Sequence, residues 1–120
     1  MKSFTRLLVW KKAHQLALDV YKALSSFPKE ELYGLTSQIK RCAVSISSNI
    51  AEGFSRASRK EKRKFYLIAS GSLSELKAQL LLARDLGFLE KEKFDSLAEK
   101  AIEVSKLLGK LIKSVSESKK

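Results

Sequence analysis

Read at about 100° per residue, the apolar positions of this chain fall into four helical stripes, and no alternating strand pattern competes with them. The first stripe, over residues 8–26, repeats Trp10, Ala13, Ala17, Val20, Tyr21 and Leu24 at i, i+3, i+4, i+7 spacing. Pro28, the only proline, then forces a break. A second helix over 34–55 carries Leu35, Ile39, Cys42, Ile46, Ile50 and Gly53 on one narrow seam, with Gln38, Arg41, Ser45, Ser48, Asn49 and Glu52 in a polar strip beside it. Ser58 followed by Glu61 reads as a capping box that opens a third helix over 58–86. Its expected buried face is Phe65, Ile68, Ala69, Leu76, Leu80, Ala83 and Leu86, and Gly87 supplies a C-terminal stop. A fourth helix over 91–115 follows Phe94, Leu97, Ala98, Ala101, Val104, Leu108, Leu111 and Val115, with residues 116–120 expected to fray. Short connections between long helices predict antiparallel neighbours. The expectation is therefore an all-α, up-down-up-down four-helix bundle in a single domain spanning 1–120.

Helices two and three are short of charge. Only Lys40, Arg41 and Glu52 are charged between Leu35 and Gly53, and only Glu75 and Lys77 between Phe65 and Ala83, whereas helix four alternates charges throughout. Each helix of a monomeric bundle should keep a comparable solvated face. Val44 and Ala51 fall roughly opposite the second helix's apolar seam, so both are expected to be covered by another copy of the chain in a homo-oligomer. If the turn is centred between Arg56 and Ala57, helices two and three pair so that Gln38 and Arg41 stand near Glu75 and Ser72. A partly buried Glu75 then requires Arg41 or Gln38 as its partner, while Ser45, Asn49 and Ser72 satisfy one another. These six polar residues read as a network that fixes register. The competing reading, a ligand or catalytic pocket, lacks a nucleophile paired with a base.

Charge changes the picture of what the bundle meets. Across 120 residues, 24 Lys and Arg stand against 13 Asp and Glu, a net charge of +11. That excess favours a polyanion, nucleic acid before membrane, over a merely soluble charged surface. The densest cluster is Arg56, Arg59, Lys60, Lys62, Arg63 and Lys64, opposed only by Glu61, in the turn before helix three and its first turns. Cations there oppose the helix macrodipole, and a bound anion would account for them; a solvated turn is the plain alternative. Lys11 and Lys12, with Lys40, Lys119 and Lys120, could widen the patch. Only Phe54, Phe65 and Tyr66 lie near the cluster, which predicts phosphate contact with structured RNA or duplex DNA rather than base stacking.

Other chemistries find little support. A single cysteine, Cys42, cannot form a disulfide within the chain and reads as a small buried hydrophobe, in keeping with a reducing, cytoplasmic setting. The segment MKSFTRLLVWKKAH lacks the apolar core of a signal peptide, and no uncharged run is long enough to span a bilayer. His14, the only histidine, reads as a helix-boundary side chain. Without Glu-x-x-His pairs, CxxC, HExxH or a glycine-rich phosphate loop, the expectation is no metal, no cofactor and no enzymatic activity.

The run YGLTSQIKRCAVSISSNIAEGFSRAS, preceded by LVWKKAHQLALDVY and followed by KFYLIASGSLSEL and LGFL, resembles the four-helix-bundle family encoded by intervening sequences in bacterial 23S ribosomal RNA genes. The likeness runs from about Leu8 to about Leu111 in order. It implies an all-helical subunit assembled as a homopentamer, and nucleic-acid binding rather than catalysis. A more distant likeness is to the accessory proteins of diversity-generating retroelements. That likeness implies an alternative role, an oligomeric scaffold for a protein partner such as a reverse transcriptase.

Overall fold

A computed structural model describes residues 3–116, and every regular element in them is helical. A 3-10 turn at Phe4–Arg6 leads into α1 (Leu8–Leu24), and a second at Lys29–Glu31 precedes α2 (Leu35–Ser55), α3 (Arg59–Asp85) and α4 (Lys91–Ser116). Local chemistry sets the boundaries. Pro28 is extended and starts the short turn after α1. Ser58 accepts the Glu61 backbone N–H at 3.1 Å, the N-cap half of the expected box, while the Glu61 carboxylate turns to Arg56 instead. At the other end of α3, Gly87 takes φ +83°; its N–H reaches Arg84 O at 3.0 Å and the Phe88 N–H reaches Ala83 O at 2.9 Å. That is a Schellman stop, and it needs a residue at ease with positive φ. Ser116 is helical rather than frayed, because its hydroxyl back-bonds to Ile112 O and receives Arg63. The fraying expected for 117–120 lies outside the described residues.

The four helices pack as a bundle 51 Å long and 21 Å across. Each packs on the next and α1 also packs on α4, so among the described residues close backbone approach is between adjacent helices while side chains of all four meet in one core. The core is a stack of Val9, Leu16, Val20, Ile39, Ile46, Ile50, Tyr66, Leu76, Val104 and Leu108, with alanines between them. Two expected faces need correction. In α1 the seam is Val9, Ala13, Leu16, Val20 and Ala23, and Tyr21 is exposed with the Lys40 ammonium 5.1 Å from its ring. In α3 the seam is Tyr66, Ala69, Leu73, Leu76, Leu80 and Ala83, leaving Ile68 and Leu86 outside. Both helices carry apolar residues on more than one side. A simple apolar tally therefore blends two faces.

One interhelical ion pair couples fold to pH. Asp19 on α1 receives Lys100 from α4 and Gln15 one turn earlier. Burial alone would raise its carboxyl, but the hydrogen bonds from Lys100 and Gln15 and the charges of Lys100 and Lys22 outweigh it and hold the group below the usual carboxylate range. A depressed folded value means the stabilisation is complete above the unfolded value near pH 4 and is lost as pH falls through the folded one. Asp19→Asn is expected to cost about 1 kcal/mol at neutral pH and much less at pH 2, as read by urea unfolding at both.

Candidate nucleic-acid interface

The turn between α2 and α3 is extended at Arg56 and Ser58, and it brings the C-terminus of α2 beside the first turns of α3. The final carbonyls of a helix lack intrahelical partners and carry partial negative charge. Much of the basic cluster answers them. Lys62 donates to Phe54 O at 2.7 Å and Gly53 O at 3.4 Å, closing the end of α2. Arg59 donates to Ser114 O at 2.8 Å, and Arg63 to Ser116 Oγ at 2.8 Å, closing the end of α4. Arg56 lies against the Phe65 ring at 4.7 Å and pairs with Glu52 at 2.7 Å and Glu61 at 3.8 Å. The cations that oppose the α3 dipole are thus offset by the carbonyl ends of two neighbouring helices, a compensation that bound anion was expected to supply.

Lys60 and Lys64 remain. Both are exposed on the first two turns of α3, along an open groove with Ser58, Glu61, Arg63 and Leu67. Among the described residues neither makes a hydrogen bond or ion pair, and Lys64 has only the Phe65 ring at 5.9 Å. Lys110 and Lys113, on the last turns of α4, stand at the same end of the bundle, since Arg59 and Arg63 reach across to that terminus. Lys12 does not join them; it pairs with Glu103 at 3.4 Å. Lys11 is exposed on the first turn of α1, which packs on α2 and α4. Lys40 covers Tyr21, and Lys119 and Lys120 lie outside the described residues.

A second polar region lies midway along α2 and α3. Gln38, Arg41, Cys42, Ser45, Ser72, Glu75 and Gln79 line an open groove of about 440 Å³. Ser45 and Ser72 share a hydrogen bond of 2.8 Å, and Asn49 donates to Ser45 O at 2.8 Å and Ser45 Oγ at 3.0 Å. The expected bond from Arg41 or Gln38 to Glu75 is absent among the described residues. Two causes combine: Glu75 is exposed, so burial demands no partner, and the extended turn shifts the pairing by one helical turn, placing Ser45 rather than Arg41 opposite Ser72. The Cys42 thiol is pushed up to about 11 by burial first and then by the Glu75 carboxylate, against a smaller lowering by Gln79. At neutral pH it is a protonated, inert packing group.

His14 stacks on Trp10 with centroids 4.7 Å apart, and Trp10 in turn meets Phe4 edge-on at 5.2 Å. Val44 is exposed and Ala51 half-buried. Among the described residues no three metal-ligating side chains converge, and no helix is long and apolar enough to cross a membrane. Ser114 and Ser116, which receive the arginines, escaped notice in the sequence, because nothing local marks a serine as the far end of an interhelical bond.

Comparison with known proteins bears on the whole chain. A family model described as 23S rRNA-intervening sequence protein matches residues 5–110. Among solved structures, the chain is similar to a protein of unknown function from the S23 ribosomal protein family of Bacteroides thetaiotaomicron. The two are 27% identical with a TM-score of 0.79, covering 88% of this chain and 99% of the other. No curated protein matches it.

Proposed function

The chain belongs to the family of 23S rRNA-intervening sequence proteins, and from that membership we propose that it is a non-enzymatic, cytoplasmic RNA-binding protein, acting as a homo-oligomer of five copies. Each copy is an up-down-up-down bundle. The paired contacts of Ser45 with Ser72 and of Gly53 with Tyr66, which run in opposite order along α2 and α3, support that topology, as does the closure of α1 on α4. The observation that carries the functional reading is the set of exposed lysines at one end, Lys60 and Lys64 on α3 with Lys110 and Lys113 on α4, in a chain of net charge +11. They contact phosphates, and repetition around a ring multiplies weak single contacts. Among the described residues the aromatic rings nearest them are half-buried Phe54 and Phe65, each covered by a cation, and buried Tyr66, which favours holding structured RNA by its backbone over reading its bases. The test is binding of the full chain to a structured RNA hairpin by fluorescence anisotropy at two salt concentrations. Affinity is expected to fall by about 10³ or more between 50 and 200 mM salt, the behaviour of a protein making six or more phosphate contacts. Absence of binding at 50 mM, or tight binding indifferent to salt, removes the reading.

A second reading, a scaffold for a protein partner such as a reverse transcriptase, draws on a different surface. Leu80, Leu81, Phe94, Ala98, Ala101 and Ile102 line an apolar groove of about 300 Å³ between α3 and α4, with Leu81 and Ile102 exposed.

A further inference from the structure

Two solvent-facing stripes run along the middle helices with a spacing of four and three residues, the period of a helix-to-helix seam. On α2 the stripe is Ser37, Arg41, Val44, Ser48, Ala51 and Ser55; on α3 it is Ile68, Gly71, Glu75, Ala78 and Leu82. All are exposed except Ser37 and Ala51, which are half-buried. Val44, Ile68 and Leu82 expose 44%, 43% and 50% of their surface, too much apolar area on two neighbouring helices for a face meant for water. Each stripe holds one charge, positive on α2 and negative on α3. Arg41 has no hydrogen bond or ion pair among the described residues, and the Glu75 carboxylate has the Cys42 thiol beside it but no ion pair.

Gly71 adds a separate clue. A Cβ built there meets nothing within 4 Å, so no neighbour inside the subunit requires a glycine in the interior of a 27-residue helix. Glycine weakens a helix relative to alanine, and its use at an outward position suits close approach by another backbone.

We infer that the α2 stripe of one copy docks on the α3 stripe of the next, with Arg41 of one pairing with Glu75 of the other. Docking rests on the homo-oligomeric reading above and specifies its geometry. The alternative two-fold contact, α3 against its own antiparallel copy, centres the stripe on Glu75 and sets like charges face to face. Pairing α2 with α3 relieves that repulsion, gives both charges an ion-pair partner and covers Val44, Ala51, Ile68, Ala78 and Leu82. Such a contact is heterologous, each copy presenting one stripe to either neighbour, the kind of contact from which the five-copy assembly proposed above would be built as a ring. The one charged residue in each stripe fixes the register, as a single buried polar group does in paired helices.

The test is charge reversal in the full chain, read as mass in solution by light scattering. Wild type is expected at a multiple of the 13.5 kDa chain mass. Arg41→Glu and Glu75→Arg are each expected to drop it to the single-chain value, and the double variant to restore the assembly. Circular dichroism should show unchanged helicity in all three, because both positions are exposed in the subunit. Val44→Glu, on the same α2 stripe, is expected to dissociate the assembly in the same way. A wild type at single-chain mass overturns the homo-oligomeric reading itself. An assembled wild type whose single reversals keep full mass, or whose double variant stays dissociated, overturns only the α2-to-α3 pairing.

Discussion

Gly53→Ala is expected to lower stability by about 1–3 kcal/mol and the melting temperature by roughly 5–10 °C, although alanine is the better helix former. A Cβ at position 53 would stand 2.5 Å from Tyr66 Cε1, 2.8 Å from Cδ1 and 3.2 Å from Lys62 O. Tyr66 has little room to yield; it is 2% exposed and packs between α2 and α3 near the turn that joins them. Either the ring leaves its rotamer or the two helices part, and parting them also pulls Lys62 off the carbonyls it caps. Gly109→Ala is the control, since a Cβ there meets nothing within 4 Å. It should raise stability by about 0.5–1 kcal/mol. Opposite signs for the same substitution, measured by thermal melts followed by circular dichroism, isolate the steric effect. An unchanged melt for Gly53→Ala would show that Tyr66 moves freely.

The sequence was most legible where one cause acts alone. Pro28, Ser58 and Gly87 set boundaries by backbone chemistry that tertiary contact does not override, and the apolar seam of α2 stands out because little else on that helix is apolar. It was least legible on α3, where Ile68 and Leu82 face outward and Leu73 and Leu76 inward with equal hydrophobicity. A heptad reading of residues 68–82 separates the two faces, whereas an apolar tally merges them. Register was missed for a different reason: two extended residues in the turn displace α3 by one helical turn, and the length of a turn does not disclose its conformation. The basic cluster was visible as charge but opaque as function. Seen on α3 alone, Arg59 and Arg63 oppose a dipole; seen beside the end of α4, they complete one.

On the proposed RNA-binding reading, that division of labour separates phosphate contact from folding among neighbouring lysines, and the final expected result turns on it. Lys60→Glu combined with Lys64→Glu should weaken binding to a structured RNA hairpin by about a hundredfold or more at 50 mM salt, while leaving the melting temperature within about 2 °C. Both side chains are exposed and bond to nothing else in the described chain, so reversal removes two phosphate contacts per copy and adds repulsion without unmaking any structural bond. In an oligomer the loss repeats in every subunit, and the salt slope should fall by about one for each contact removed. Lys62→Ala, two residues away, should do the reverse. Its ammonium holds Phe54 O and Gly53 O, so its loss is expected to lower stability by about 1 kcal/mol and to change RNA affinity by no more than about threefold. Equal effects of the two substitutions on binding would mean that net charge alone attracts RNA. A double reversal that binds like the wild type would take this end of the bundle out of the interface altogether.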